Sequence, residues 1–245
     1  MHLLERDQVN DQGLILGASA GAENIRSRLA AFEALEPIAR SDAFADVGCG
    51  RGGYSVELAR RCERISLVDI QPANLEAARQ ALALVPSASP DFHCQPAEKL
   101  SLPSQHYDAV FLIEVLDHVR DVAACLAEAL RILKPRGRCY LSVPNRLFPF
   151  ETHPVKVGQL LVTPYLFPFL PWLPFFHRRI ATARVFTAAE IKLRAAQVGF
   201  RSVKLSYVMP PFERTGFTSM RRLAQLCGNS PLRVFGVSIT AVLTK

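Results

Sequence analysis

Residues 46–53, with the sequence Asp-Val-Gly-Cys-Gly-Arg-Gly-Gly, carry the residue types that a small-molecule site needs. They follow the apolar pair Phe44-Ala45 and precede a helical pattern that begins at Tyr54. Glycine permits positive φ and lets a ligand approach the backbone without a Cβ in the way. The N–H groups of the first helical turn then favour an anionic group. The carboxylate of Asp46 would repel a pyrophosphate but suits the ammonium group of a bound amino acid.

The glycines of this turn fit more than one known spacing. Gly48, Gly50 and Gly53 satisfy the Gly-x-Gly-x-x-Gly spacing of dinucleotide-binding turns. Gly48, Gly50 and Gly52, together with Asp46, satisfy the Asp-x-Gly-x-Gly-x-Gly pattern of enzymes that bind S-adenosylmethionine (SAM). A glycine-rich turn that holds no ligand is a third interpretation. The acidic residue favours SAM over a dinucleotide and disfavours an NAD-dependent oxidoreductase.

A turn of this kind needs a sheet to position it, and the hydrophobic periodicity of the chain predicts one. The predicted helices lie at 22–39, 54–60, 72–84, 121–133 and 187–199, and the predicted strands at 44–47, 65–69, 91–95, 107–113, 138–143, 202–208 and 234–243. Strands that alternate with helices at this spacing predict a parallel sheet of right-handed βαβ units. Residues 1–22 are expected to be a loosely ordered lead-in, and residues 218–226 a short basic helix.

Length and composition are those of one globular domain. The chain has 245 residues, of which 49% are hydrophobic, enough for a packed core. Its six cysteines are scattered without a Cys-x-x-Cys pair, and the charged N-terminus does not resemble a signal peptide, so we expect a cytoplasmic protein with reduced thiols. The net charge of +7 is uneven, because residues 151–245 hold 13 Lys/Arg and only 3 Asp/Glu. That asymmetry indicates an anionic partner for the C-terminal part or a solvated basic face.

Residues 144–184 break the alternation of strands and helices. An uncharged run at 157–177 is long enough to span a bilayer by count, but prolines at 164, 168, 171 and 174 argue against a continuous helix. We predict a hydrophobic lid over an acceptor pocket, with contact to a membrane interface through Tyr165, Trp172 and the arginines at 178, 179 and 184. Internal packing is the alternative.

Six motifs in order resemble the class I SAM-dependent methyltransferases, in particular the branch of the ubiquinone/menaquinone-type small-molecule enzymes. The motifs are Asp46–Gly52, Val68-Asp69, Ala97–Leu100, Tyr107–Val110, Glu114–Val119 and Leu133–Gly137. The resemblance implies a Rossmann-like α/β three-layer sandwich with a seven-stranded, mostly parallel sheet whose last strand is antiparallel. It divides one domain, residues 1–245, into a SAM-binding core at 23–145, a lid insertion after strand 5 at 146–185, and a C-terminal helix with closing strands at 186–245.

The resemblance also implies roles for residues at the strand ends. The glycine turn, with Gly48, Cys49 and Gly50, would pass under the methionine part of SAM beside Asp46. The remaining implied cofactor contacts are the ribose with Asp69, the adenine with Ile70, Ala97 and Glu98, and the methyl-donor end with Ile113 and Glu114. The family often has Asp just before the alanine, where this chain has Pro96, so the bond to the adenine amino group is the least secure of these.

Methyl transfer from a sulfonium needs alignment and exclusion of water, and a base when the acceptor is a hydroxyl or an acidic carbon. His118, His153 and Glu151 are the candidate bases, with Asp117 behind them. His118 could instead tie a loop to the backbone. No His/Cys/Asp cluster has metal-ligand spacing, so the sequence predicts no metal site.

We therefore expect a methyltransferase that acts on a small, lipophilic or aromatic acceptor at oxygen or carbon. An RNA methyltransferase is the nearest alternative, although no Asn-Pro-Pro-Tyr-type tetrapeptide follows the fourth strand. A non-catalytic, membrane-associated protein that binds SAM is the other. The sequence does not specify the acceptor or the oligomeric state.

Overall fold

The computed structural model describes residues 21–85, 89–163, 166–210, 226–228 and 230–245. Its strands are β1 Ser41–Val47, β2 Cys62–Asp69, β3 Ser89–Cys94, β4 Tyr107–Ile113, β5 Leu133–Pro144, β6 Val155–Val157, β7 Leu160–Val162, β8 Ser202–Val208 and β9 Ser238–Thr244. Seven of them form one sheet in the order β3-β2-β1-β4-β5-β9-β8. β1 to β5 run parallel to one another, and β9 runs antiparallel to both β5 and β8. The predicted seven-stranded, mostly parallel sheet with an antiparallel last strand is confirmed.

Helices cover both faces of this sheet. They are α1 Ala22–Leu35, α2 Gly53–Ala59, α3 Pro72–Leu82, α4 Val122–Ile132, α5 Pro174–Ile180 and α6 Ala188–Val198. Successive residues of a strand point to opposite faces. In β1, Phe44 packs with α1, α2 and α3, whereas Ala43 and Ala45 pack with α4 and α6. Two hydrophobic cores on either side of one sheet make the predicted three-layer sandwich.

Local chemistry fixes where the helices begin and end. The carboxylate of Asp121 accepts hydrogen bonds from two N–H groups in the first turn of α4. A capping box begins α6, with Thr187 and Glu190 each satisfying a backbone N–H of the other. Gly199 then ends α6 with φ of 112°, a conformation that favours glycine.

Several sequence-based boundaries shift in the structure; for example, α1 ends at Leu35 and β1 begins at Ser41. β5 begins at Leu133 instead of Arg138, because residues 134–137, between the predicted helix and strand, form a bulge inside the strand, with Arg136 at φ 65° and a register shift against β4. β3 begins at Ser89, earlier than predicted. The predicted lead-in at 1–22 and the predicted basic helix at 218–226 lie mostly outside the described residues.

The insertion after β5 consists of short elements. β6 and β7 form a hairpin, a 3-10 turn covers Leu170–Trp172, and α5 is a single short helix of seven residues. Prolines lie at the start of both the 3-10 turn and α5, which is where their missing N–H is tolerated. None of the described helices is long and apolar enough to cross a membrane.

Candidate active site

The carboxyl ends of β1, β2 and β4 lie side by side, which is where open α/β sheets bind ligands. Asp46 pairs in register with Leu67 on one side and Phe111 on the other. β2 ends at Asp69, and β4 ends at Ile113. The fold therefore brings together, at the carboxyl edge of the sheet, the residues that the sequence predicts to contact the methyl donor.

The glycine turn adopts the conformation for which glycine was inferred. Gly48, Gly50 and Gly52 have φ of 76°, 52° and 81°. A Cβ on Gly48 would lie 2.4 Å from Cγ2 of Val115, so close packing requires glycine at this position. A Cβ on Gly50 would meet nothing within 4 Å, so open space lies above the turn there. Cys49 is buried, and burial raises the pKa of its thiol, which therefore stays protonated.

Asp69 connects the glycine turn to the loop after β2. One carboxylate oxygen accepts a hydrogen bond from the Gly50 N–H at 2.9 Å, and the other accepts from the Gln71 N–H at 2.8 Å. A carboxylate held in this way keeps lone pairs for further donors such as a diol. Its predicted contact with the ribose remains a prediction.

Asp46 is a buried carboxylate that lacks an ion-pair partner among the described residues. Within the part of the chain that the structure describes, only the Ser55 hydroxyl donates to it, at 2.5 Å. Burial raises the pKa of Asp46 to about 6; the Ser55 hydrogen bond opposes this rise and the charge of Asp69 adds to it. A cationic group placed next to Asp46 would lower that pKa and stabilise the carboxylate.

Arg28 is a site residue that the sequence analysis missed. It projects from α1 and is 7% exposed. Its guanidinium lies 3.0 Å from the Glu114 carboxylate and donates to the Ser238 hydroxyl at 2.9 Å and the Tyr54 hydroxyl at 3.1 Å. Burial alone would lower the pKa of Arg28, but Glu114 and Tyr54 outweigh burial and raise it. The only signal in the sequence was an arginine within the apolar spacing of a predicted helix.

The Nε atom of Arg28 is buried and has no hydrogen-bond partner in the described part of the chain. Such a donor is costly unless a ligand accepts from it. Arg28 contacts Tyr54, and Asp46 contacts the next residue, Ser55, so opposite charges lie on either side of the start of α2. That arrangement complements the carboxylate and ammonium of an amino acid.

Glu114 is more constrained than a strand-end position suggests. Its φ is 57°, in the left-handed region, and its carboxylate accepts from the Ser142 hydroxyl at 2.7 Å besides pairing with Arg28. Backbone strain of this kind persists only where the surroundings hold it. Glu114 therefore has a fixed orientation at the predicted methyl-donor end.

The residues predicted for the adenine lie farther along the same edge. Ile70 is 52% exposed, which leaves its side chain available for stacking. Ala97 is half-buried against the core on the α4 side. Glu98 accepts a hydrogen bond from the Arg120 N–H at 2.8 Å, so this carboxylate ties two loops together. Its predicted bond to the adenine amino group is untested.

Asp117 lies next to two histidines on the side predicted for the acceptor. Its side chain is fully buried, and one carboxylate oxygen is 3.2 Å from Nε2 of His118 and 3.5 Å from Nε2 of His153. Burial raises the pKa of Asp117; His118 opposes the rise, Glu114 adds to it, and His153 opposes it. Neither carboxylate oxygen has a hydrogen bond of ordinary geometry within the described residues. A positive charge opposite Asp117 is therefore favourable.

The Glu151 carboxylate is occupied by hydrogen bonds within the insertion, which does not suit its predicted role as a base. Its carboxylate accepts from the N–H groups of Thr152 and His153, each at 2.9 Å, and lies 2.7 Å from Nε2 of His177 in α5. Burial would raise the pKa of Glu151, but the hydrogen bonds from His153 and His177 lower it to about 2. A carboxylate with so low a pKa is a weak proton acceptor.

The two candidate histidines differ in their surroundings. Burial would lower the pKa of His153, but Glu151, Asp117 and Glu114 together raise it, which favours the imidazolium form. The His118 side chain is 26% exposed against 19% for His153. His118 is therefore the more accessible imidazole.

The fold also assembles a set of metal-ligand types that sequence spacing did not reveal. Asp117, His118 and His153 offer ligand atoms that all lie within 4.8 Å of one another. The sequence argument against a metal site does not apply to this trio, since His153 reaches it from beyond β5. That the protein needs no metal remains a prediction.

Comparison with known proteins agrees with this geometry. Residues 45–141 match the family model described as a methyltransferase domain. Ubiquinone biosynthesis O-methyltransferase of Xanthomonas oryzae pv. oryzae is 36% identical over 102 residues, which cover 41% of this chain and 42% of that protein. The chain thus spans less than half the length of that curated relative.

Solved structures share the fold over almost the whole chain. A SAM-dependent methyltransferase of Thermotoga maritima superimposes with a TM-score of 0.60 at 20% identity, covering 90% of this chain and 88% of its own. Phosphoethanolamine N-methyltransferase 2 of Haemonchus contortus, solved with SAM, gives 0.59 at 15% identity over 90% of this chain and 52% of its own.

The sheet order and the glycine turn are those of the class I SAM-dependent methyltransferase fold, and residues 45–141 match the methyltransferase domain. SAM is the cofactor of that class.

Proposed function

We propose that this protein transfers a methyl group from SAM to a hydroxyl or acidic carbon of a small, lipophilic or aromatic acceptor. The observation that carries the proposal is the pair of buried, incompletely satisfied charges at the start of α2. The Nε of Arg28 lacks an acceptor and the Asp46 carboxylate lacks a cation among the described residues. The methionine part of SAM supplies a carboxylate and an ammonium, one for each.

Bound SAM would supply the activated methyl group, and the residues of the chain would bind, orient and exclude water. Asp69 is positioned to accept from the ribose hydroxyls, and Gly50 leaves room above the turn. Glu114, fixed by Arg28, borders the side on which the acceptor arrives. Holding the two reactants in line accounts for most of the rate enhancement that this chemistry needs.

His118 is the proposed proton acceptor. With bound SAM supplying the activated methyl group, the imidazole of His118 would accept the proton that the hydroxyl or acidic carbon of the acceptor gives up. The carboxylate of Asp117, 3.2 Å from Nε2 of His118, stabilises the imidazolium that forms. His153 lies 3.5 Å from the same carboxylate oxygen of Asp117. The relative's name, ubiquinone biosynthesis O-methyltransferase, favours an aromatic hydroxyl.

The insertion at 146–185 is the proposed acceptor lid and peripheral membrane contact. Large apolar side chains that are 38% to 62% exposed concentrate here; they are Leu147, Phe150, Val157, Leu160, Leu166, Phe169, Trp172, Leu173, Phe175 and Phe176. Arg178 and Arg179 follow them directly in α5. An apolar surface edged by arginine suits an anionic membrane interface.

The test is turnover with SAM and a catechol or quinol acceptor, comparing His118→Gln with His93→Gln. His93 is a matched control because it also lies next to a carboxylate, that of Asp91, but on the edge strand β3. We expect His118→Gln to lower kcat by about 10²-fold, the scale of losing a general base, with unchanged SAM affinity. Equal effects of the two variants would contradict the role of His118.

Two outcomes would favour the alternatives. SAM binding without turnover on any lipid, quinol or RNA substrate would favour a non-catalytic, membrane-associated SAM-binding protein. Methylation of RNA would favour the RNA methyltransferase, which the excess of Lys/Arg in residues 151–245 supports.

Replacing residues 157–177 by a short polar loop tests the proposed lid. The replacement should remove turnover and liposome binding but leave SAM affinity within a few-fold; loss of SAM binding would contradict the lid.

A further inference from the structure

A cavity of about 490 Å³ lies between the lid insertion and α6. Its lining includes Pro171, Pro174 and His177 of the insertion, residues 181–186, and Asp117 and His118. This volume is within the range of small-molecule sites and larger than an inorganic anion requires. The cavity therefore has room for an organic molecule next to His118.

Four arginines line this cavity, which we call the basic cavity: Arg146, Arg178, Arg184 and Arg194. The acidic residues in its lining are Asp117 and Glu190. Asp117 faces the two histidines described above. Positive charge is therefore in excess around the cavity.

Internal contacts satisfy two of the arginines to different extents. Arg146 pairs with Glu190 at 3.0 Å and also donates to the Val185 carbonyl. Arg184 donates to the carbonyls of Val119 and Arg120, at 2.7 Å and 3.1 Å. Carbonyls orient a guanidinium but carry no net charge, so Arg184 is held in position without being neutralised.

The other two arginines lack internal partners among the described residues. Within the described residues, neither Arg178 in α5 nor Arg194 in α6 has an ion-pair or hydrogen-bond partner. Like charges around a concave surface repel one another, and an anion between them removes that repulsion. The planar guanidinium fork matches the oxygens of phosphate and carboxylate in a bidentate way.

We infer that the basic cavity binds the phosphate or carboxylate group of the methyl acceptor, with Arg178 and Arg194 as its principal ligands. This inference rests on the proposed function. The organic part of the acceptor would extend from the arginines towards His118, which borders the same cavity. The anionic group thus orients the acceptor, and the apolar lid covers it.

The experiment measures binding of phenyl phosphate, benzoate, phenol and inorganic phosphate by calorimetry, to the full chain saturated with SAM. We expect phenyl phosphate or benzoate to bind better than phenol and inorganic phosphate. Binding should weaken as salt is raised, because the contact is between charges. Arg178→Gln combined with Arg194→Gln should lower the affinity by about tenfold or more, since each removes charge-assisted hydrogen bonds.

Arg179→Gln with Lys192→Gln is the matched control. These residues lie on the same two helices but outside the lining of the cavity, and Arg179 stacks on Phe175 instead. SAM affinity should be the same in all variants. Phenyl phosphate or benzoate should also compete with the acceptor, and not with SAM, in the methyl-transfer assay.

Three results would overturn the inference while leaving the proposed function intact. They are SAM binding without binding of either organic anion, equal loss in the test and control variants, and equal affinity for inorganic phosphate and phenyl phosphate. Failure to bind SAM at all would instead overturn the proposed function. The two failures are therefore distinguishable in one titration series.

Discussion

Replacing Asp46 by Asn should stabilise the SAM-free protein at neutral pH. Burial holds the pKa of Asp46 at about 6, above its ordinary value of 3.8. At pH 7 the carboxylate is ionised in both the folded and the unfolded protein, and the folded state bears the cost of keeping that charge buried. Since one pKa unit corresponds to about 1.4 kcal/mol, this cost is about 3 kcal/mol.

The dependence on pH has a definite sign. As pH falls from 7 to 4, the folded protein takes up the Asp46 proton before the unfolded chain does, so this group makes the free energy of unfolding rise. Asn cannot ionise, so its advantage over Asp46 should be largest at pH 7 and vanish near pH 4. The Asp46→Asn variant should bind SAM less tightly than the wild type, because the ammonium group of SAM would lose its carboxylate partner.

Urea denaturation at pH 4.5, 6 and 7.5 measures the first effect, and calorimetry with SAM the second. Ser55→Ala provides the control, because the Ser55 hydroxyl donates to Asp46 at 2.5 Å and lowers its pKa. Ser55→Ala should destabilise the protein at pH 7 more in the Asp46 background than in the Asn background. The reasoning is refuted if Asp46→Asn destabilises the protein equally at pH 4.5 and 7.5.

Three further predictions follow from single contacts. Gly48→Ala should lower Tm and SAM affinity, because the new Cβ would lie 2.4 Å from Val115. Gly50→Ala is the control and should lower Tm less, because its Cβ would meet no atom within 4 Å. Equal loss of Tm in thermal melts of the two variants would contradict this. Glu151→Gln should lower the free energy of unfolding at pH 7 by about 3 kcal/mol, since the pKa of Glu151 is lowered from 4.5 to about 2, and the loss should shrink as pH falls from 4.5 towards 2 in urea titrations. A loss that does not depend on pH would show that the Glu151 charge is not the cause. Chelation should leave turnover unchanged, because the raised pKa of His153 favours a positive charge opposite Asp117 without a metal. Activity that is lost with a chelator and restored by one divalent metal would place a cation in the trio of Asp117, His118 and His153.

Local patterns predicted most of the fold. The alternation of strands and helices, the glycine turn at Asp46–Gly52 and the capping box at Thr187 each depend on residues close in sequence, and all are present. The bulge in β5 was missed because a Lys-Pro-Arg-Gly sequence has the composition of a turn, and only pairing with β4 shows that the strand continues through it.

The sequence predicted only part of the site, and the missed and misassigned residues share one physical cause. Arg28 was missed because its partners Glu114 and Ser238 are remote in sequence and meet it only after the sheet forms. Glu151 was assigned as a base because residue type alone does not show that His177 and backbone N–H groups already occupy its carboxylate. Long-range contacts decide which polar residue is available for chemistry.

Comparing the affinity of SAM with that of decarboxylated SAM tests the central claim most directly. The wild-type protein should bind SAM more tightly than the decarboxylated form, because the buried Nε of Arg28 has no acceptor within the described residues. In Arg28→Gln that difference should largely disappear, even if both affinities fall through the loss of the Glu114 contact. An undiminished preference for SAM in Arg28→Gln, or binding of NAD and not of SAM by the wild type, would contradict the account.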